Sequence, residues 1–389
     1  MNKNLMSENI EDLKSINLFT SKEIIGQPKL WLKVWEAVTR KKLEISDFLK
    51  RAKKNSNLHI ILTGAGTSAF IGDVLEGPIQ KGTGIVTKAV PTTDLVTHPE
   101  FYFSKGNDIL LISFARSGNS PESAKVVQLA GQLSHEVLNL VITCNKKSIL
   151  TDSLQNTDDL VFLLPPESND KGLAMTGSFT SMLLTGLLIS KIDFVDEKEF
   201  EINLLIKYAN TILNDYLSSL KQISELEFER VVFLGSGLMK GIARESHLKL
   251  QELTDGKIIC KYDSFLGFRH GPKAVLNENT LITFLFSNNE YVNKYEVDLV
   301  KSISEGRKPI FSLGIMEKII KSANLDLNII LGDSKNQLSE DLLTIVSVLP
   351  AQILGFFKSI KLGLNPDNPS ESGMIHRVVQ GVKIYPYKN

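Results

Sequence analysis

The sequence predicts an α/β protein built of two tandem, doubly wound parallel-sheet domains. Three observations carry that prediction. Short apolar runs alternate with segments of helical periodicity, as a parallel sheet covered by helices on both faces requires. An apolar run twice ends in a Gly-x-Gly turn: His59-Ile60-Ile61-Leu62-Thr63-Gly64-Ala65-Gly66 and Arg230-Val231-Val232-Phe233-Leu234-Gly235-Ser236-Gly237. The two lie about 170 residues apart, which reads as an internal duplication. A charged link at 191–198 followed by a long helix separates the copies. The expected divisions are an N-terminal helical segment 1–54, a first domain 55–192, a linker helix 193–226, a second domain 227–368 and a tail 369–389.

Taken in order, residues 1–25 are polar and mixed and read as a loose lead-in helix. Trp31, Leu32, Val34, Trp35 and Val38 recur at helical spacing, so 28–53 is an amphipathic helix with its tryptophans in the core or a subunit contact. Strands are expected at 58–63, 85–90, 108–114, 137–143 and 159–164, and helices at 67–80, 121–134 and 177–191. The last of these, around Met182-Leu183-Leu184, is the most apolar, too short and too interrupted to span a bilayer, and therefore a buried helix. A long helix covers 199–225. The second domain has strand-like 257–262, strands 280–286 and 308–313, and a helix 338–362 kinked at Pro350.

Composition narrows the function. Lys plus Arg and Asp plus Glu are 44 each, a balance that argues against nucleic acid or an anionic membrane as the main partner. The two cysteines, Cys144 and Cys260, form no disulfide or metal pattern, and with no hydrophobic signal core a reducing cytoplasm is expected. No His/Asp/Glu cluster has metal-ligand spacing, so no metal and no cofactor are expected.

The stretch 109–125 is the most informative. An apolar strand ends in Ala115-Arg116-Ser117-Gly118-Asn119-Ser120, and Pro121-Glu122 opens a helix. Two hydroxyls, a permissive glycine and free N–H groups at a helix N-terminus make a ready site for an anion. Ser120 capping a helix and Gly118 turning the chain would account for the same residues. Gly64-Ala65-Gly66-Thr67-Ser68 is a second turn of this kind. A dinucleotide fingerprint would need a further glycine where Ala69 stands, so two hydroxyl-bearing turns suit a small phosphate better.

In the second half the corresponding turn, Leu285-Phe286-Ser287-Asn288-Asn289-Glu290, loses the serine arrangement and is not expected to bind phosphate. Glu245, Lys249 and Glu252 fall on one helical face, where an exposed charge stripe is the alternative to a catalytic role. His270, flanked by Gly271 and Pro272 in a loop, is an acid/base candidate.

Gly64 to Ser68, together with Ser113-Phe114-Ala115-Arg116-Ser117-Gly118-Asn119-Ser120-Pro121-Glu122-Ser123, resembles a sugar isomerase (SIS) domain, which binds phosphosugars. From about residue 20 to the end the chain resembles the bacterial tagatose-6-phosphate ketose/aldose isomerase family, also described as galactosamine-6-phosphate deaminase/isomerases. That resemblance implies phosphate contacts from Thr67, Ser68, Arg116, Ser117, Asn119 and Ser120. It implies sugar contacts from Gly66 and from the loop with Ala174 and Met175. Leu248-Lys249-Leu250-Gln251-Glu252 and His270-Gly271-Pro272 are similar to motifs in the isomerase domain of glucosamine-6-phosphate synthase. There the glutamate shuttles a proton, the histidine opens the sugar ring from a neighbouring subunit, and a tail lysine closes over the sugar. Glu252 and His270 inherit those expectations, with Arg377 or Lys383 as the tail residue; a cation such as Lys249 or Arg377 can hold the developing oxyanion and position the glutamate. Against the synthase, Ala115-Arg116 replace a Ser-Gln pair, and Arg116 could meet either the phosphate or a carboxylate.

The synthase draws ammonia from a glutaminase domain with an N-terminal cysteine, whereas this chain begins Met1-Asn2. Isomerisation with deamination of an amino-sugar phosphate is therefore expected, in a homo-oligomer with a shared active site. A simple hexose-6-phosphate isomerase and a phosphosugar-sensing binding protein are the alternatives.

Overall fold

Among the residues that the computed structural model describes (13, 16–54, 57–154, 156–333 and 335–387), ten strands form two five-stranded sheets, parallel throughout. The elements in order are α1 (Phe19–Arg40), α2 (Lys42–Ala52), β1 (Leu58–Thr63), α3 (Thr67–Thr83), β2 (Thr87–Ala89), α4 (Thr92–Thr97), β3 (Asp108–Ala115), α5 (Pro121–Leu133), β4 (Glu136–Thr143), α6 (Ile149–Asp152), β5 (Leu160–Leu163) and α7 (Gly177–Ser190). They continue with α8 (Glu199–Asp215), α9 (Leu217–Ser224), β6 (Arg230–Gly235), α10 (Leu238–Leu253), β7 (Ile259–Asp263), α11 (Phe265–Phe268), β8 (Thr280–Leu285), α12 (Glu290–Ser304), β9 (Phe311–Met316), β10 (Leu327–Ile330), α13 (Glu340–Ser347) and α14 (Leu349–Lys361).

The first sheet runs β2-β1-β3-β4-β5 and the second β7-β6-β8-β9-β10, which is the same order. In each, the first and third strands are neighbours, so the chain reverses its direction of travel across the sheet between them. Such a switch point opens a crevice at the carboxyl ends of the strands, where ligands bind in open α/β sheets. Both Gly-x-Gly turns lie there. Gly66 and Gly237 take positive φ, 56° and 53°, to start α3 and α10. A Cβ at Gly64 or Gly235 would come within 2.6 Å of Ser68 or 2.2 Å of Met239 on the following helix. The motif is thus explained by a tight strand-to-helix turn, with no nucleotide needed.

The chain sorts into two compact units. One holds the first sheet, with Leu30–Asn169, Gly177–Phe200 and Ile375–Asn389; the other holds the second, with Met1–Lys29, Asp170–Thr176 and Glu201–Met374. In the first, Ile109, Leu111 and Val141 pack under Val126, Leu129 and Ala130 of α5. In the second, Phe265, Phe284 and Phe286 cluster with ring centroids 5.6–6.1 Å apart. Trp31 is fully buried and donates to Thr180 Oγ1 at 3.0 Å, a core role as expected. α7 is buried from Gly177 to Ile189, also as expected.

Several expected elements differ. Most of the lead-in helix at 1–25 lies outside the described residues, but α1 begins at Phe19, earlier than expected, and carries Pro28 inside it. Pro28 has no N–H for the Ile24 carbonyl, and the Gln27 side chain supplies one at 3.3 Å, which lets the helix continue. The helix ends at Arg40 and restarts after Lys41. The expected long helix 199–225 is two, broken at Tyr216. The helix at 338–362 also breaks, at Val348, which places Pro350 in the first turn of α14 where its missing N–H costs least. β9 starts at Phe311, not at 308, because Pro309 has no N–H for the ladder. β10 was not anticipated. The stretch Glu340–Lys361 is long and apolar enough to cross a membrane by composition, and its most apolar 18 residues are 94% buried inside the protein.

Candidate active site

At the carboxyl end of the first sheet, Arg116 to Ser120 form the turn between β3 and α5. Gly118 has φ 66°, and a Cβ there would lie 2.3 Å from Ser148 Oγ. Ser120 stands at the N-cap of α5 but its hydroxyl makes no cap bond. Capping alone therefore does not explain that serine. Its hydroxyl is available to a ligand, as is the hydroxyl proton of Ser117, whose oxygen accepts from Asn119 N–H at 3.3 Å. Ser117 and Ser120 are half-buried and Asn119 is exposed. Asn119 gives its amide oxygen to Ile149 N–H at 3.2 Å, which leaves the amide nitrogen as its donor. Thr67 and Ser68, on the neighbouring turn, are 5% exposed.

Arg116 is 6% exposed, and its guanidinium donates to the carbonyl of Arg377 in the tail. The Arg377 guanidinium in turn donates to Asn169 Oδ1 at 2.9 Å. One arginine thus holds the tail backbone while the other ties it to the loop after β5. Lys383, the alternative tail residue, lies over the Tyr385 ring at 5.1 Å.

Ala174 and Met175 lie in the loop 170–176, grouped with the second sheet. Ala174 is buried and Met175 half-buried. Asp170 fixes the loop by accepting from Thr176 N–H at 2.8 Å and Thr176 Oγ1 at 3.1 Å. Glu23 accepts from Lys171 and Gly172 N–H. Burial, and then the nearby Asp170 and Asp367, push its carboxyl up to about 7.

α10 carries the charged face. Lys249 is fully buried, with its Nζ 2.6 Å from Glu252 Oε2 and 3.4 Å from Glu245 Oε1. Glu245 is buried too, whereas the Glu252 side chain keeps 23% of its surface. An exposed charge stripe is therefore excluded. A buried ammonium between two carboxylates is costly to desolvate, and removing one member typically costs 3–5 kcal/mol. The arrangement presents one carboxylate, Glu252, outward with a fixed cation behind it. On the same helix the His247 ring lies 4.9 Å from that of Tyr262, tilted by 35°, and burial holds its imidazole below the usual range.

His270 sits in the turn after α11, next to Gly271 with φ 111°, and its side chain is exposed. Ser264 caps α11 by accepting from Gly267 N–H at 2.9 Å, which shapes the loop that presents the histidine.

The turn after β8 differs from its counterpart after β3. Ser287 N–H donates to Glu296 Oε2 at 3.2 Å, Asn293 Nδ2 to the same carboxylate at 2.9 Å, and Asn288 Nδ2 to Glu317 Oε2 at 2.9 Å. Ser287 Oγ donates to Glu340. Neither these carboxylates nor Asn145, which supports the first turn, stood out in the sequence. Glu296 is an ordinary polar residue of a helix until the fold brings its carboxylate to the turn.

The SIS domain family model matches residues 54–190, the first sheet and its helices. The D-galactosamine-6-phosphate deaminase AgaS of Shewanella sp. (strain ANA-3) is 39% identical over 373 residues, spanning 95% of this chain and 92% of the relative. The solved structure of tagatose-6-phosphate ketose/aldose isomerase from Escherichia coli is 34% identical with a TM-score of 0.87, covering 96% of this chain and 98% of its own. A Clostridium novyi NT structure carrying the same isomerase name is 39% identical with a TM-score of 0.93 over the full length of both chains. Identity of that degree over nearly the whole of each protein places this chain in the SIS-domain family of D-galactosamine-6-phosphate deaminases and tagatose-6-phosphate ketose/aldose isomerases.

Proposed function

We propose that the chain converts galactosamine-6-phosphate and water to tagatose-6-phosphate and ammonia. The observation that carries this reading is the α10 face: a partly exposed Glu252 held at 2.6 Å by a buried Lys249 is a carboxylate placed for proton transfer. Ring opening comes first, with His270 as the acid/base group. Glu252 then takes the proton from C2 of the open aldehyde form and returns it to C1. C1 becomes a hydroxymethyl group and C2 an imine, and water adds at C2 to release ammonia and leave the ketone. Lys249 orients Glu252 and balances the charge that develops on O1. Ser117, Ser120, Asn119 and Thr67, with Ser68 and Arg116, hold the phosphate, whose binding energy orients the reacting end. Gly66, Ala174 and Met175 are assigned to the sugar, and Arg377 to a tail that closes over it.

The exposure of His270 supports its reaching the active site of a neighbouring subunit, so that the working enzyme is a homo-oligomer. Two free cysteines suit a reducing cytoplasm. The name shared by the solved relatives favours a second reading, ketose/aldose isomerisation without ammonia.

Ammonia release from galactosamine-6-phosphate, measured beside glucosamine-6-phosphate, separates the readings. Release from the galacto sugar is expected; none from either, with interconversion of tagatose-6-phosphate and its aldose, would support the second. Binding without any turnover would mean a sensor. In the deaminating enzyme Glu252→Gln is expected to lower kcat by about 10³-fold while KM changes little. Unchanged kcat would remove Glu252 from the mechanism.

A further inference from the structure

Resting on the reading of the Ser117–Ser120 turn as the phosphate grip, we infer that Asn145 is a positioning residue for phosphate binding. An anion site must do two things: present donors and keep acceptors away. A turn of four residues brings its carbonyls as well as its N–H groups to the same place, and a carbonyl oxygen facing a phosphate is repulsive.

Here three of the four carbonyls are engaged elsewhere. Ser117 O accepts from Asn145 Nδ2 at 2.9 Å, Gly118 O from Leu150 N–H at 3.0 Å, and Ser120 O from Ser123 N–H at 3.1 Å. The first two donors belong to the segment that follows β4, and this segment also receives the Asn119 amide oxygen through Ile149 N–H. The segment is itself braced. Ser148 and Thr151 form a reciprocal capping box at the start of α6. One strand-end loop thus anchors the acceptors of its neighbour.

Leu150 and Ile149 act through backbone N–H groups, which any substitution other than proline leaves in place. Asn145 acts through its side chain, and it can be tested. Its amide orientation is fixed by a second bond, because its Oδ1 accepts from Lys147 N–H at 3.1 Å. The nitrogen must therefore face Ser117. Its own N–H donates to Thr143 Oγ1 at 3.1 Å, which holds the residue at the end of β4.

Asn145→Asp is the sharpest test. It keeps the shape and the acceptor for Lys147, replaces the donor with a second oxygen, and sets a negative charge against the Ser117 carbonyl. The expected result is a rise of about 100-fold in KM for the sugar phosphate, and a matching rise in the inhibition constant of inorganic phosphate, with kcat at saturation within about twofold. Asn145→Ala, which adds no charge, is expected to raise both by about tenfold and serves if the aspartate variant does not fold. A merely structural asparagine would lower the melting temperature and kcat without moving the phosphate inhibition constant. KM and inhibition constants within twofold of the parent in the folded variants overturn the inference. The double variant Ser117→Ala/Ser120→Ala, run beside it, keeps the two levels apart. If that variant also binds inorganic phosphate normally, the turn is not the phosphate grip. If it weakens phosphate and the Asn145 variants do not, only the role of Asn145 falls.

Discussion

The turns after β3 and β8 occupy the same place in two sheets of the same strand order, and they have opposite chemistry. In the first, hydroxyls and an amide nitrogen remain for a ligand while the carbonyls of Ser117 and Gly118 are bonded to the segment after β4. In the second, the donors are taken by the chain's own carboxylates, Glu296, Glu317 and Glu340. A phosphate there would displace bonds already made and would meet negative charge. Topology supplies a strand-end turn beside a helix N-terminus in both halves. Whether that turn is an anion site is decided by which side chains reach it from the rest of the unit.

The comparison can be broken most directly by paired substitutions. Removing both hydroxyls of the first turn, Ser117→Ala/Ser120→Ala, is expected to raise KM for the sugar phosphate by about 10²–10⁴-fold, since hydrogen bonds to a charged group are worth about 1.5–3 kcal/mol each. The mirrored change in the second turn, Ser287→Ala, is expected to leave KM within twofold and to lower the melting temperature instead. Equal effects of the two on KM would mean that the halves do not differ as their turns suggest.

A second prediction sharpens the account of the closed turn. Burial, with the opposing carboxylate of Glu340, pushes Glu296 up to about 7 from an ordinary 4.5. The folded state then keeps a proton that the unfolded state gives up. Stability from this group is present below about pH 4.5, is lost as pH rises to about 7, and is level above. Glu296→Gln keeps an acceptor for Ser287 N–H and cannot titrate. The stability of this variant relative to the parent is therefore expected to rise by about 3 kcal/mol between pH 4.5 and 8. Urea unfolding of both proteins at several pH values measures this, and a constant difference would show that burial leaves the Glu296 carboxyl unshifted from its unfolded value.

Most of the fold was legible because it rests on local patterns. β1 matches its expected span, and β3, β4, α5 and α7 match within a residue or so, since each is a continuous apolar or periodic run closed by Gly, Pro or Ser. β10 was missed because Leu327-Asn328-Ile329-Ile330 is too short to stand out and is fixed by pairing with β9. The site was legible by its turns and motifs. Their surroundings were not. The face of Glu245, Lys249 and Glu252 could be read from spacing, but an exposed stripe and a buried triad have the same spacing, and only the packing of α10 against α14 and β6 separates them. Contacts such as Arg116 with Arg377, far apart in sequence, leave no local trace at all.

The smallest effect concerns the backbone of the two turns. Gly118 adopts φ 66°, a conformation that costs a side-chain-bearing residue about 1–2 kcal/mol, and a new Cβ would press on Ser148 Oγ. That hydroxyl cannot simply swing away, because it accepts from Thr151 N–H at 3.3 Å as the cap of α6. Asn289 in the second turn has φ −89° and ψ 119°, which any residue adopts, and its side chain caps α12 by accepting from Tyr291 N–H at 2.9 Å. Asn289→Ala should therefore cost only the cap, about 1 kcal/mol, and leave KM alone. Gly118→Ala should cost about 2–3 kcal/mol and raise KM as well, because the strain falls on the groups that grip the phosphate. Thermal unfolding and KM for both variants test this together. A Gly118→Ala variant as stable as Asn289→Ala, with parental KM, would mean that the first turn is loose enough to accept a side chain, and that its geometry is not what distinguishes it from the second.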